Sequence, residues 1–93
     1  MRFVLHALDR PDSLALRLET RPRHLEYMAG FDTLVAGPML DPDGKPCGSC
    51  IIVEVADQAA AEAFAAGDPY QLAGLFESVS LHPFHTVTWP VGS

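Results

Sequence analysis

Apolar residues recur at every second position near the start of the chain. Phe3, Leu5 and Ala7 share one face of a predicted strand over Phe3–Leu8, and the positions between them are also mostly apolar. A strand that is apolar on both faces belongs inside a sheet rather than at its edge. The pattern therefore predicts a central β-strand.

The next segment has helical composition with a proline in its middle. Ser13–Glu19 favours a helix, but Thr20-Arg21-Pro22 follows it directly. Proline inside a helix costs about 3 kcal/mol or more, whereas the first turn tolerates it. We therefore expect a short first helix, then a second one that begins near Thr20 and ends at Gly30.

The middle of the chain predicts a hairpin with a long loop. Thr33–Leu40 is rich in strand-forming residues, and Gly37-Pro38 within it indicates an edge, a bulge or a kink. Ser49–Val55 has the clearest strand pattern in the sequence. The residues between the two strands, Asp41–Pro46, are typical of a turn.

The last third predicts two helices and a strand with recognisable starts and stops. Aspartate accepts N–H groups at a helix start, proline suits the first helical position, and glycine ends a helix. The predicted elements are a helix over 58–66 between Asp57 and Gly67, a short helix from Asp68-Pro69 to about Gly74, a strand over Leu75–Phe84 and an extended tail over His85–Pro90.

The order β-α-β-β-α-β predicts the fold class: α+β, ferredoxin-like, with an antiparallel sheet and its helices on one face. We expect the uncovered face to be apolar and to pair with a second copy. The composition agrees, because 93 residues with 48% hydrophobic content make one small soluble domain over residues 1–93 with a thin core.

The charge balance changes the list of possible partners. A net charge of −6 argues against nucleic acid, since binding phosphates needs clustered basic side chains. Basic residues are concentrated in one stretch, Arg10–Arg23, which predicts a small anion site for a carboxylate or a phosphate. Its four members are Arg10, Arg17, Arg21 and Arg23.

Location and cofactors are inferred from what the sequence contains. No signal peptide or membrane-length apolar run is visible, and one pair of cysteines is not a disulfide scaffold, so a cytoplasmic location is expected.

Cys47 and Cys50 form a lone C-x-x-C, but zinc needs two more ligands. His82 and His85, at i and i+3 on an extended segment, point to opposite faces. We expect neither metal nor redox cofactor, and a structural role for His6, His82 and His85.

Two residues are candidates for acid–base chemistry. His24 lies beside Arg21 and Arg23 near a predicted helix start, and this surrounding favours a neutral imidazole that can act as a base. By itself, an ordinary histidine that is exposed or at the edge of the core is the simpler interpretation. Asp68 fits an ordinary helix cap, although the same carboxylate could also orient a neighbouring imidazole.

Five short motifs occur in a characteristic order, and together they resemble the YciI-like family (the YCII-related domain). The motifs are Arg21-Pro22-Arg23-His24-Leu25, Ala36-Gly37-Pro38, Gly48-Ser49, Asp68-Pro69-Tyr70 and the segment from Ser78 to Phe84. The resemblance implies a ferredoxin-like α+β domain that dimerises as an α+β barrel, with a proposed catalytic His/Asp pair.

Carried over by motif, that pair falls on His24 and Asp68. The family pattern also places Arg21, Ser49 and Tyr70 near the pocket, and Gly37 could let a ligand approach its strand closely. One related member is a dehydrochlorinase that acts on a chlorinated hydroxyhydroquinone. This chain departs from the pattern in a shorter segment after the His24 helix and in the cysteines that flank Gly48-Ser49.

Two functional hypotheses follow. The first is a cofactor-independent enzyme in which His24 is the general acid/base, Asp68 orients it, and Arg21 holds a small anionic or phenolic substrate for elimination, isomerisation or hydrolysis. The second is a non-catalytic, dimeric module that binds a small metabolite or serves in assembly. Both predict a homodimer with no nucleic-acid or membrane partner.

Overall fold

The elements follow the predicted order. The computed structural model describes residues 1–88, so the last part of the tail predicted over His85–Pro90 lies outside the described residues. Its elements are β1 (Arg2–Asp9), α1 (Leu14–Met28), β2 (Asp32–Leu40), β3 (Pro46–Glu54), α2 (Gln58–Gly67), α3 (Pro69–Leu72) and β4 (Phe76–Pro83). The fold class, ferredoxin-like α+β, is confirmed.

The four strands form one antiparallel sheet in the order β2-β3-β1-β4. β1 is central, as its two apolar faces predict, and Leu5 lies opposite Ile51 of β3 and Leu81 of β4. β2 is an edge strand whose register shifts near both ends. An edge position accommodates Pro38, because its missing N–H can face away from the sheet.

The core lies between the sheet and the helices. Phe3, Leu5, Ile51, Val53 and Phe64 are each at most 1% exposed. An aromatic group formed by Tyr27, Phe31 and Phe64 packs beside them, with ring centroids 4.7 to 6.0 Å apart. This small core fixes α1 and α2 on one face of the sheet.

The opposite face of the sheet is only partly apolar. Residues paired across strands share a face, so the register identifies its members. The apolar ones are Val4, Leu8, Val35, Met39 and Ile52, and two glycines, Gly37 and Gly48, lie among them. The polar ones are Arg2, His6, Asp32, Cys50, Glu54, Ser78, Ser80 and His82. The expectation of a uniformly apolar face is therefore wrong, since the β4 half is polar.

The predicted break at Pro22 is also wrong, because α1 runs through it as one helix of 15 residues. Pro22 deprives the carbonyl of Leu18 of its usual N–H partner. Both residues are exposed, so water can hydrate that carbonyl. The buried stripe of α1, which includes Arg17, Thr20, His24 and Met28, extends across the proline and holds the helix together.

Among residues 1–88, the helices are all too short or too polar to span a membrane.

Candidate active site

A buried histidine and a buried aspartate from different helices meet beneath the sheet's β2–β3 half. His24 Nδ1 lies 2.8 Å from Asp68 Oδ1, and Asp68 is fully buried. The same oxygen accepts the Tyr70 N–H at 3.0 Å. Asp68 thus caps α3 and contacts His24 at once, so the two predicted roles of this carboxylate coexist.

The bond to Asp68 selects one form of the imidazole ring. A carboxylate can only accept, so Nδ1 carries the hydrogen and donates it to Asp68 Oδ1. Nε2 then keeps its lone pair. Within residues 1–88 this nitrogen has no hydrogen-bond partner and is not buried, and His24 lines a cavity. The ring therefore presents an acceptor nitrogen to whatever occupies the cavity.

His24 does not lie where the sequence placed it in its helix. α1 begins at Leu14, so His24 stands near the helix's carboxyl end rather than in its first turn. The argument from the helix start is therefore wrong. What the contact with Asp68 fixes is which ring nitrogen carries the hydrogen.

Tyr70 packs between the imidazole and a guanidinium. Its ring lies 4.0 Å from the His24 ring, at an interplanar angle of 18°, and the Arg17 guanidinium carbon lies 4.5 Å from the same ring. Burial raises the pKa of the Tyr70 hydroxyl, although the charges of Arg17 and Arg21 partly oppose that shift. Tyr70 therefore stays neutral at physiological pH and holds the face of His24.

A cavity of about 400 Å³ opens beside His24, a size typical of small-molecule sites. The predicted residues Arg21, His24, Gly37, Ser49 and Tyr70 all line it, and Asp68 lies behind His24. The remaining lining is mainly apolar. It comprises Leu18, Leu25, Met28, Ala36, Pro38, Pro46 and Ile51, with Thr33 and Arg17 as the polar exceptions.

The four arginines do not form one anion site. Arg17 is buried, donates to both carboxylate oxygens of Asp9 at 2.7 and 2.9 Å, and donates to Ser49 Oγ at 2.8 Å. Arg21 is exposed and lines the cavity. Arg10 lines a different depression, and Arg23 faces solvent. The predicted cluster is thus reduced to Arg21 as the cation available to a ligand.

Comparisons with known proteins agree with this architecture. A family model described as the YCII-related domain matches residues 1–85. The chain belongs to the YCII-related domain family. Protein YciI of Escherichia coli is 39% identical and covers 94% of this chain and 99% of its own length. An uncharacterized protein of Haemophilus influenzae is 34% identical over the same shares.

Solved structures extend the comparison. The dehydrochlorinase TftG of Burkholderia phenoliruptrix, which acts on 5-chloro-2-hydroxyhydroquinone and was solved with 2,5-dihydroxybenzoquinone, is 29% identical with a TM-score of 0.85. The match covers 91% of this chain and 94% of TftG. An antibiotic biosynthesis monooxygenase, 14% identical with a TM-score of 0.58, shares the fold alone.

Sequence reasoning missed the network behind the cavity of this YCII-related domain. Asp9 was not among the candidate residues and Arg17 was counted in the predicted anion site over Arg10–Arg23, yet together they form a buried ion pair with side chains 6% and 5% exposed. Burial lowers the pKa of Arg17, but the hydrogen bonds and charge of Asp9, together with Tyr70, outweigh this effect and hold that pKa above its ordinary value. No local signal in the sequence pairs Asp9 with Arg17, because their contact depends on how β1 and α1 pack together.

The cysteines of the domain take no visible part in the site. Cys47 and Cys50 are free thiols on β3, and neither lines the His24 cavity. No group of three or more potential metal ligands occurs within residues 1–88.

Proposed function

We propose that this YCII-related domain is a small-molecule enzyme in which His24 is the general acid/base and Asp68 positions it. The observation that supports this is the 2.8 Å contact between His24 Nδ1 and Asp68 Oδ1 at the wall of a cavity. Because Asp68 fixes the hydrogen on Nδ1, the lone pair of Nε2 faces the ligand. A base in this arrangement needs no metal.

In the proposed reaction, Nε2 takes a proton from a substrate carbon, hydroxyl or water. The imidazolium that forms is stabilised by the carboxylate of Asp68, and it returns the proton to the leaving group or to another substrate atom. These two proton transfers are sufficient for an elimination, an isomerisation or a hydrolysis. A positioned acid/base of this kind contributes about 10²–10⁴-fold to the rate.

The cavity supports a small anionic or phenolic substrate. Its walls are mainly apolar, which suits a flat ring, and Arg21 forms no ion pair within residues 1–88. Arg21 therefore has an uncompensated charge for a substrate oxygen. The ligand bound to TftG, 2,5-dihydroxybenzoquinone, is an oxygenated ring of this class.

We also propose that the protein is a cytoplasmic homodimer that pairs through the open face of the sheet. Leu8 and Val35 on that face are 44% and 52% exposed, and a second copy would cover them. The polar edge strand β4, with Ser78 and Ser80, would then lie towards the rim of the contact.

The test is turnover of oxygenated and chlorinated quinols, phenols and lactones by the wild type, His24→Ala and Asp68→Asn. Asparagine caps helices about as well as aspartate, so Asp68→Asn isolates the effect on His24. We expect both variants to lose at least about 100-fold in kcat. Full activity in both would refute the proposal. Binding without turnover of any compound would favour the non-catalytic module.

A further inference from the structure

The cavity has a second polar wall, Ser49, whose oxygen already accepts a hydrogen bond from a buried arginine. Ser49 is 3% exposed, lines the cavity, and accepts a hydrogen bond from Arg17 Nη2 at 2.8 Å. A guanidinium has only donors, so at this contact the serine oxygen can only accept. No acceptor for the Ser49 hydroxyl hydrogen is found within residues 1–88.

The guanidinium itself cannot turn away. Its Nε and Nη2 donate to the two oxygens of Asp9, a bidentate arrangement with fixed geometry. The Tyr70 ring covers its face at 4.5 Å. Asp9 and Arg17 are anchored on β1 and α1, and Ser49 lies on β3 opposite Ala7 of β1. The fold thus holds Arg17 Nη2 in position to donate to Ser49 Oγ.

We propose that Ser49 is a dedicated hydrogen-bond donor to the ligand, and that Asp9 and Arg17 are positioning residues that make it so. The ligand atom facing Ser49 is therefore an acceptor: a carbonyl oxygen or a deprotonated phenolic oxygen. The hydrogen bond that the charged Arg17 donates to Ser49 also polarises the Ser49 O–H group. This polarisation strengthens the hydrogen bond that Ser49 donates to the ligand. This assignment rests on the proposed function, because it assumes that the ligand lies in the cavity beside His24.

In this assignment, each polar side chain of the cavity has a different role towards the ligand. His24 Nε2 accepts a proton, Arg21 supplies charge, and Ser49 donates to an oxygen that keeps or gains negative charge. A ligand that offers Ser49 only an N–H or a C–H would leave the buried hydroxyl without a partner, and such mismatches are strongly rejected.

The experiment measures the Kd of 2,5-dihydroxybenzoquinone, whose ring oxygens are acceptors, for the wild type and Ser49→Ala. Ser13→Ala is the matched control, because the Ser13 hydroxyl is exposed and contacts only a neighbouring backbone oxygen. We expect Ser49→Ala to raise Kd by roughly 10- to 100-fold, and Ser13→Ala to leave Kd unchanged. An unchanged Kd in Ser49→Ala, or no binding by the wild type, would overturn the assignment.

A double-mutant cycle tests the positioning role. If Arg17 acts through Ser49, Arg17→Met should weaken binding in the wild type but add little in Ser49→Ala. Additive losses would mean that Arg17 acts independently of Ser49, and they would overturn the positioning role. Should Arg17→Met fail to fold, Ser49→Ala alone still decides the donor assignment.

Failure of this inference and failure of the proposed function give different results. Loss of turnover in His24→Ala with normal binding by Ser49→Ala removes the donor assignment only. Weakened binding by Ser49→Ala with full turnover in His24→Ala removes the acid/base role only.

Discussion

The buried pair of Asp9 and Arg17 should be a major determinant of stability. Its side chains are 6% and 5% exposed, and two hydrogen bonds of 2.7 and 2.9 Å join them. Removal of one partner leaves the other charge buried and unpaired, which costs about 3–5 kcal/mol. We therefore expect Asp9→Ala and Arg17→Met each to lose that much free energy of unfolding.

Urea denaturation gives the free energies, and thermal melting gives an independent check. In a domain of this size, 1 kcal/mol shifts Tm by roughly 4–8 °C, so each single variant should melt at least about 12 °C lower. The double variant Asp9→Ala/Arg17→Met should cost less than the sum of the single variants, since it leaves no stranded charge.

The exposed pair of Arg2 and Glu54 provides the control. Its closest atoms are 3.9 Å apart and its side chains are 37% and 40% exposed. Glu54→Gln should therefore change the free energy of unfolding by less than about 1 kcal/mol. Losses below 1 kcal/mol in both Asp9→Ala and Arg17→Met would show that water reaches the pair and would refute the reasoning.

Three further predictions concern packing, ionisation and assembly. A Cβ at Gly67 would lie 2.7 Å from the Tyr27 hydroxyl, which donates to the Phe64 carbonyl, so Gly67→Ala should lose about 1–3 kcal/mol in urea denaturation. Gly37→Ala, with open space around it, should lose far less, and equal losses would contradict this account. Burial raises the pKa of both tyrosines, Tyr27 and Tyr70, so the folded state holds their protons above pH ~10. Stability from this source is complete below that pH and falls as pH rises further. Absorbance at 295 nm should show less tyrosinate at pH 10 in the folded protein than in the urea-unfolded protein, and equal tyrosinate would contradict the shift. Sedimentation equilibrium should give twice the 10.1 kDa chain mass, and Leu8→Arg should give a monomer; a monomeric wild type would refute pairing through the open face.

Local patterns were sufficient for most elements but not for α1. Caps such as Asp57, which accepts the Ala60 N–H, act over three residues and are visible in the sequence. The effect of Pro22 was misjudged because its cost is local, whereas the stabilisation comes from the buried stripe of Arg17, Thr20, His24 and Met28. Tertiary packing of that stripe against the rest of the fold is not a local property of the sequence.

The site could be predicted in part. His24 and Asp68 are 44 residues apart, and only the order of the short motifs brought them together in the sequence analysis. The contact of Arg17 with Asp9 and Ser49 was beyond reach, because it depends on the register of β1 and β3. Equally, nothing in the composition of Arg10–Arg23 distinguishes the buried, paired Arg17 from the exposed Arg21.

The central claim is that Asp68 fixes the hydrogen on Nδ1 of His24 and leaves Nε2 as the base. Nitrogen-15 NMR of histidine-labelled protein reports which ring nitrogen carries the hydrogen, and His24→Gln assigns the signal. We expect the Nδ1–H form for neutral His24 in the wild type, and loss of that fixed preference in Asp68→Ala, which removes the accepting oxygen. A neutral ring with its hydrogen on Nε2 in the wild type would contradict it.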